Sequence, residues 1–143
     1  ALERAYTSLQ SRFSPALSKR AAELFSRLTG GRYQAVLLDR SFHAAAEEAG
    51  SPIARDISSL SQGAADQLYL AVRLAICELV LPADRSVPLV LDDALTNFDD
   101  ARCAAALELL LEESRSRQIL LLTCQHREAQ YLAGREGVHV LTL

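Results

Sequence analysis

The first part of the chain repeats apolar residues at helical spacing, so that they fall on one side of a predicted helix. Ser14 and Pro15 suit the N-cap and the first helical position, and Gly30-Gly31 suits the end. The apolar side consists of Leu17, Ala21, Leu24, Phe25 and Leu28. The same spacing runs back to the first residues through Leu2, Tyr6, Leu9 and Phe13. Residues 1–13 are therefore either the stub of a longer helix or a separate, frayed turn.

The middle of the chain alternates short apolar runs with residues that interrupt them. YQAVLL at residues 33–38 predicts a strand, and a second strand is predicted around residues 42–46. Gly50, Ser51 and Pro52 then break the pattern. A polar loop at residues 56–63 leads into a long helix predicted at residues 64–81, which Pro82 and Asp84 end.

Strands and helices alternate from Pro88 onward. The apolar run at residues 89–91 ends in Asp92 and Asp93, which predicts a buried parallel strand with charge at its carboxyl end. Asp99 and Asp100 can cap a helix at residues 101–113, whose predicted inward side is Ala104, Leu107, Leu110 and Leu111. A strand, a short helix and a last strand follow at residues 118–123, 127–132 and 138–141. This order predicts an α/β fold with a mostly parallel sheet flanked by helices.

Composition narrows the class of protein. A chain of 143 residues can form one domain with a real core, and a net charge of -3 argues against a basic nucleic-acid-binding domain. The three cysteines form no CxxC pair, so neither a disulfide framework nor a zinc site is expected. The polar N-terminus does not look like a signal peptide, and no apolar run is long enough to span a membrane. We therefore expect a cytoplasmic protein without a membrane partner.

The two acids at the end of the strand at residues 89–91 are the clearest candidates for chemistry. In open α/β sheets, ligands bind in the crevice beyond the carboxyl ends of the strands. There Asp92 could hold a Mg²⁺ ion that bridges nucleotide phosphates, and Asp93 could orient an attacking water. The alternative is that these acids only cap the structure that follows.

Two further segments could contact phosphate. Ser61 and Gly63 precede a long helix, whose N-terminus offers backbone N–H groups and a positive dipole end to an anion. His126 closely follows the apolar run ILLLT and could also contact a phosphate. Each has a simpler alternative, since Ser61 could be an ordinary N-cap and His126 an ordinary surface histidine.

Taken in order, these segments resemble the C-terminal half of a P-loop ABC-type ATPase head. LSQGA at residues 60–64 resembles the LSGGQ signature, and LVLDD at residues 89–93 resembles the Walker B strand. ALTNFDD at residues 94–100 resembles the D-loop, and His126 resembles the switch histidine. The sequence of these segments is most similar to that of bacterial YhaN-like AAA-family ATPases, relatives of the SMC and SbcC proteins. FSRLTGGRYQAVLLD resembles the place where their returning coiled coil enters the head.

The resemblance implies a division of the chain and a set of roles. Residues 1–32 would be the coiled-coil exit helix and residues 33–143 the C-terminal lobe. Two such heads enclose two ATP molecules, so the signature of one head acts on ATP held by the other. The implied roles are ATP binding in trans by Ser61, Gln62 and Gly63, Mg²⁺ binding by Asp92, water activation by Asp93, D-loop contacts by Asn97 and Asp99, and γ-phosphate sensing by His126.

Three departures from the family pattern affect these expectations. Asp93 stands where the family usually has glutamate, and Gln62 and Ala64 replace two of the usual signature residues. A phosphate-binding P-loop needs a glycine-rich run ending in lysine and serine or threonine. The only lysine is Lys19, and no glycine precedes Gly30. We therefore expect a fragment that is inactive alone and needs a separate N-terminal lobe carrying the Walker A loop.

Several alternatives remain open at this point. The chain could be a non-catalytic dimerisation or interaction module that kept an ABC-like fold, whereas a transporter-type cassette is disfavoured by the coiled-coil-like helix. DNA repair or chromosome maintenance, DNA itself and a nuclease subunit are implied only by the family. Without the other lobe, we expect an unpaired strand edge, an exposed apolar face and self-association.

Overall fold

The computed structural model describes residues 2–39, 43–81 and 87–142, with side chains described from residue 14 onward. It opens with a long helix, α1 (Leu2–Leu28), which contains Pro15 in its interior. The predicted helix start at Ser14 is therefore wrong, and the helical spacing that continues toward the first residue was the better signal. Gly30 and Gly31 end the helix with positive φ angles of 62° and 83°.

A three-stranded antiparallel sheet packs against α1. Its strands are β1 (Tyr33–Leu38), β2 (Ala44–Glu48) and β3 (Ala54–Asp56), in the order β1-β2-β3. The Tyr33 ring stacks on Phe25 of α1 with 4.7 Å between ring centroids. The first strand has its predicted bounds, whereas β3 was missed and Phe42 lies outside the described residues. Because this sheet is antiparallel, the prediction of a mostly parallel sheet is not confirmed.

The next helix, α2 (Gln62–Val80), lies against α1 and supplies much of the core. Leu68, Ala71 and Leu74 are buried along it. Gln67 is also buried, and its side-chain amide donates to the carbonyl of Leu28 at 2.6 Å. The carbonyls of the last helical turn have no partner within the helix, and the Gln67 amide provides one for Leu28. This bond also offsets the free-energy penalty of burying the Gln67 amide. Pro82 and Asp84, predicted to end this helix, lie outside the described residues.

The last part of the chain forms a parallel strand pair with two helices. The elements are β4 (Leu89–Asp92), α3 (Asp100–Glu113), β5 (Ile119–Leu122) and α4 (His126–Leu132). The two strands pair in parallel, with Asp92 opposite Leu122. The strand predicted at residues 138–141 does not form, and none of the described strands pairs with these residues. The described fold is mixed α/β.

One arginine of α1 joins the far ends of the two longer helices that follow. Arg20 donates to Glu78 at the end of α2, with a distance of 2.9 Å from Nη2 to Oε1, and lies 3.7 Å from Glu113 at the end of α3. Burial raises the pKa of the Glu113 carboxyl, and the negative charge of Glu78 raises it further. Arg20 therefore separates two acids that would otherwise repel each other in a partly buried place.

The outer face of the β4–β5 pair is apolar and exposed. Val90, Leu120 and Leu122 are exposed to 57%, 44% and 48%, whereas Leu91 on the inner face is buried. Of the strand predicted to be buried at residues 89–91, Leu91 is buried but Val90 is not, and the expected exposed apolar face is present. None of the described helices is both long and apolar enough to cross a membrane.

Candidate functional site

The carboxyl ends of β4 and β5 meet at one edge of the molecule. The side chain of Asp92 is exposed there, as expected for a residue just beyond the core of a parallel pair. The residues that follow β4 lead to α3, and those that follow β5 lead to His126 at the start of α4. The strand order therefore brings the Walker B-like acids and the loop before His126 to the same edge.

Asp93 is fixed by both its backbone and its side chain. It is the only described residue other than glycine with a positive φ, which is 46°. Its N–H donates to the carbonyl of Leu122 at 2.9 Å, and its Oδ1 accepts from the N–H of Cys124 at 3.2 Å. The Asp93 carbonyl accepts from Thr96, whose hydroxyl lies 2.8 Å away. Asp93 thus connects the end of β4 with the loop that precedes His126.

The start of α2 has the geometry of a capped helix. Ser61 is its N-cap, and the Ser61 hydroxyl oxygen accepts from the N–H of Ala64 at 3.4 Å. Ser61 and Gln62 are exposed, whereas Gly63 is buried. The capping alternative for Ser61 is therefore observed. It leaves the hydroxyl hydrogen without an acceptor among the described residues, so Ser61 can still donate to an anion at the helix N-terminus.

The D-loop-like segment lies directly against the start of α2. Asn97 donates from Nδ2 to Oδ2 of Asp66 at 2.9 Å, and Asp99 caps α3 by accepting from the N–H of Arg102 at 2.8 Å. A Cβ atom added to Gly63 would collide with the guanidinium of Arg102 and come within 3.4 Å of the Asn97 carbonyl oxygen. Only glycine fits at residue 63 without displacing Arg102. The signature-like and D-loop-like segments are therefore in contact.

His126 is the exposed first residue of α4, and Arg127 beside it anchors the helix to the D-loop-like segment. The Nη2 atom of Arg127 donates to the carbonyls of Leu95 and Phe98 at 3.2 and 2.7 Å. Its Nη1 donates to Asp100 at 3.1 Å. Arg127 therefore fixes the backbone of the D-loop-like segment and the start of α4 relative to each other.

Sequence reasoning missed Asp66, Arg102 and Arg127. Their contacts cross between segments, and each residue looks like an ordinary charged position on a helix. Glu128 was also missed: it is 1% exposed, and neither carboxylate oxygen has a hydrogen-bond partner among the described residues. Burial of a carboxylate without such a partner opposes folding. No pattern in the sequence separates Glu128 from a surface glutamate.

The acids at this edge do not form a metal site by themselves. Among the described residues, no group of three or more His, Cys, Asp or Glu side chains is placed to hold a metal ion. Mg²⁺ is commonly held by one or two carboxylates together with phosphate oxygens and water. An exposed Asp92 at a strand end suits that arrangement, in which the nucleotide provides the remaining ligands.

Comparison with solved structures identifies the fold. A chain from work on ATP-driven dimerization and DNA-stimulated activation of SMC ATPases matches with a TM-score of 0.71 and 21% identity, over 93% of this chain and 85% of that one. The fold is that of an SMC ATPase head. The SMC head domain from Thermotoga maritima matches with a TM-score of 0.64 and 20% identity, over 90% of this chain and 43% of its own.

A third SMC head structure includes a coiled coil, which was expected, and a bound partner, which was not. The Smc head domain from Pyrococcus furiosus, with an extended coiled coil and bound to the C-terminal domain of ScpA, matches with a TM-score of 0.63 and 20% identity. The match covers 82% of this chain and 30% of that one. The resemblance to SMC-like heads is therefore confirmed at the level of the fold.

Sequence comparison gives a consistent relative. The uncharacterized protein YhaN of Bacillus subtilis (strain 168) is 29% identical over 129 residues, which is 90% of this chain. The chain spans only 13% of the length of YhaN. No family model matches the chain. Activity and partners of a whole SMC-like protein are thus matters for proposal.

Proposed function

We propose that this chain is the C-terminal lobe of a composite SMC-like ATPase head, which binds and hydrolyses ATP only with a P-loop lobe and a second head. The observation that supports this most is the contact between two segments 31 residues apart, made by Asp66 and Asn97. It places the signature-like helix start beside the D-loop-like segment. In the family, both of these elements act on the nucleotide of the partner head.

The start of α2 would bind the γ-phosphate held by the partner head. Ser61 would donate its hydroxyl hydrogen, and the N–H groups near Gln62 and Gly63 would add backbone donors. Ser61 and Gln62 need no large rearrangement to meet an anion, because both are already exposed at the capped helix start, whereas Gly63 is buried. The positive end of the helix dipole favours the anion in the same place.

The acids beyond β4 would act on the nucleotide of their own head. Asp92 would hold Mg²⁺, which when bound neutralises phosphate charge during transfer. Asp93 would orient and polarise the attacking water, using the carboxylate oxygen that does not accept from Cys124. His126 would contact the γ-phosphate, and Asn97 and Asp99 would reach across the dimer. The shorter side chain of Asp93 predicts slower turnover than glutamate would give.

The exposed face of Val90, Leu120 and Leu122 would receive the P-loop lobe. Three large apolar side chains on one face of a two-stranded sheet suit a partner that completes the sheet and covers it. DNA-stimulated activation is recorded for a structural neighbour of this chain. We extend a DNA-linked role, and a nuclease subunit acting with it, to the full-length protein only.

The test is calorimetric binding and turnover of Mg-ATP by this chain, alone and mixed with the P-loop lobe of the same parent protein. We expect neither activity alone and both in the mixture. Asp92→Ala and Asp93→Asn should abolish turnover in the mixture. Glu108→Gln, which changes an acid that binds Tyr131 on α4, serves as the matched control and should not. Normal turnover in both site variants would overturn the assignment of the acids.

A second candidate is a non-catalytic interaction module, favoured by the aspartate at residue 93 and by the absence of a P-loop from these 143 residues. This module would bind its partner lobe without turnover. Stable association of the two lobes with no Mg-ATP binding in the mixture would establish this function in place of the first.

A further inference from the structure

Asp66 is shared by two segments that the sequence motifs treat as separate. Its Oδ1 accepts from Nε2 of Gln62 at 3.0 Å, and its Oδ2 accepts from Nδ2 of Asn97 at 2.9 Å. Each oxygen therefore serves a different partner. A carboxylate can accept both bonds, whereas an amide of the same shape would present a donor to one of the two amide groups.

The contact with Gln62 accounts for an unusual signature residue. Gln62 stands where the family usually has glycine, and its long side chain could lie over the N–H groups at the helix start. The bond to Asp66 four residues later directs this side chain along the flank of α2. Asp66 therefore keeps the helix start open while it accepts a side chain that the usual signature lacks.

A second contact joins the same two segments independently. The guanidinium of Arg102 occupies the space beside Gly63, next to the Asn97 carbonyl oxygen. Arg102 is itself held by Asp99, with 3.5 Å between Nε and Oδ2. The signature-like and D-loop-like segments therefore meet through both side chains and backbone, and Asp66 makes the hydrogen-bonded part of this junction.

We propose that Asp66 is a positioning residue that holds the signature-like helix start and the D-loop-like segment in one arrangement, so that both meet the partner head's nucleotide together. The part of this inference that concerns the partner head's nucleotide rests on the proposed function. Its structural content, that Asp66 restrains the D-loop-like segment, concerns this chain alone and can be tested without nucleotide.

The first test is amide hydrogen exchange in the isolated chain. Asp66→Ala should speed exchange at residues 94–98 about tenfold, because one charge-assisted hydrogen bond to that segment is lost. Asn97→Ala removes the same bond from the other side and should have the same effect. Glu108→Gln, which removes an acid joining α3 to α4, should leave these amides unchanged. Unchanged exchange in both variants would overturn the proposal.

The second test exchanges donor and acceptor. In the chain carrying Asp66→Asn and Asn97→Asp together, the amide at residue 66 can donate to the carboxylate at residue 97. Exchange at residues 94–98 should return to within about threefold of the original chain. A double variant that exchanges as fast as the Asp66→Ala and Asn97→Ala chains would show that the pair does not restrain the segment.

The third test separates this inference from the proposed function. In the mixture with the P-loop lobe, Asp66→Ala should leave Mg-ATP binding unchanged but weaken ATP-dependent head dimerisation about tenfold. If the mixture has no ATPase activity while exchange still responds to Asp66, the positioning role stands and the ATPase proposal fails. If turnover and dimerisation are normal in Asp66→Ala, Asp66 does not position the two segments for the partner's nucleotide.

Discussion

The α1 side of the molecule and the β4–β5 pair contain similar apolar residues but bury them to different extents. On the α1 side, Leu24 and Phe25 of α1 are fully buried in the core that α1 forms with α2 and the antiparallel sheet. On the β4–β5 pair, the outer face remains half exposed although it carries valine and leucine. Apolar residues on the α1 side therefore stabilise this chain, whereas those on the outer face contribute less to its fold and are open to the partner lobe proposed above.

The largest contrast should come from one substitution made in both regions. Leu24→Ala should lower the free energy of unfolding by about 2–5 kcal/mol, since it leaves a cavity in a closed core. Leu122→Ala should lower it by less than about 1 kcal/mol, since the side chain is already half exposed. Urea denaturation measures both. Equal losses would mean that the outer face contributes to the fold of the isolated chain as the core does.

Arg20→Ala should weaken the α1 side by about 2 kcal/mol, because it leaves Glu78 and Glu113 partly buried and facing each other. The value is reduced from that of a fully buried pair, since the Arg20 side chain is 30% exposed. Arg27→Ala is the matched control on the same helix, where Arg27 and Glu112 are 44% and 54% exposed. It should cost less than about 0.5 kcal/mol, and a loss as large as that of Arg20→Ala would contradict the role of the buried acids.

Val90→Glu should change assembly more than stability. A charge in the centre of the exposed apolar face should weaken self-association of the chain at least about tenfold, equivalent to about 1.4 kcal/mol. Sedimentation equilibrium measures this directly. Tyr69→Glu, at an apolar residue of α2 that is 55% exposed, is the control. A chain that is already monomeric at high concentration would refute the expected self-association.

The smallest expected effect is a change of pH dependence at Glu113. Burial raises the pKa of the Glu113 carboxyl, so the folded chain binds this proton more tightly than the unfolded chain does. The contribution of Glu113 to stability therefore falls as the pH rises from the ordinary glutamate value of 4.5 through the raised folded value. Glu113→Gln should remove this fall, seen as a difference between the two urea stability profiles. Parallel profiles would contradict it.

Local signals in the sequence predicted the helices after α1 to within two residues. Asp99 and the Ser61 loop mark helix starts by caps, and caps are encoded locally. The strands were predicted less well, because a strand forms only where another strand lies beside it to pair with. Residues 138–141 have strand-like composition but pair with none of the described strands, whereas the short, exposed β3 pairs with β2 despite its weak pattern. Pro15 misled because a proline that suits a helix start also lies within α1.

In the candidate site, too, features encoded by neighbouring residues were predicted, and contacts between distant residues were not. Asp92 and Asp93 were placed correctly at a strand end because an apolar run followed by acids is a continuous pattern. Asp66 and Arg127 were missed because their partners lie 31 and about 30 residues away, and no local spacing encodes such contacts. Roles for these residues in ATP chemistry remain predictions.

The backbone at Asp93 has a consequence for how this sequence could change. Asp93 has a φ of 46°, a region that aspartate enters more readily than glutamate because its short side chain can bond nearby backbone groups. A glutamate introduced here would move its carboxylate away from the Cys124 N–H while keeping the unfavourable backbone. Exchange of this aspartate for glutamate therefore requires a compensating change in the turn.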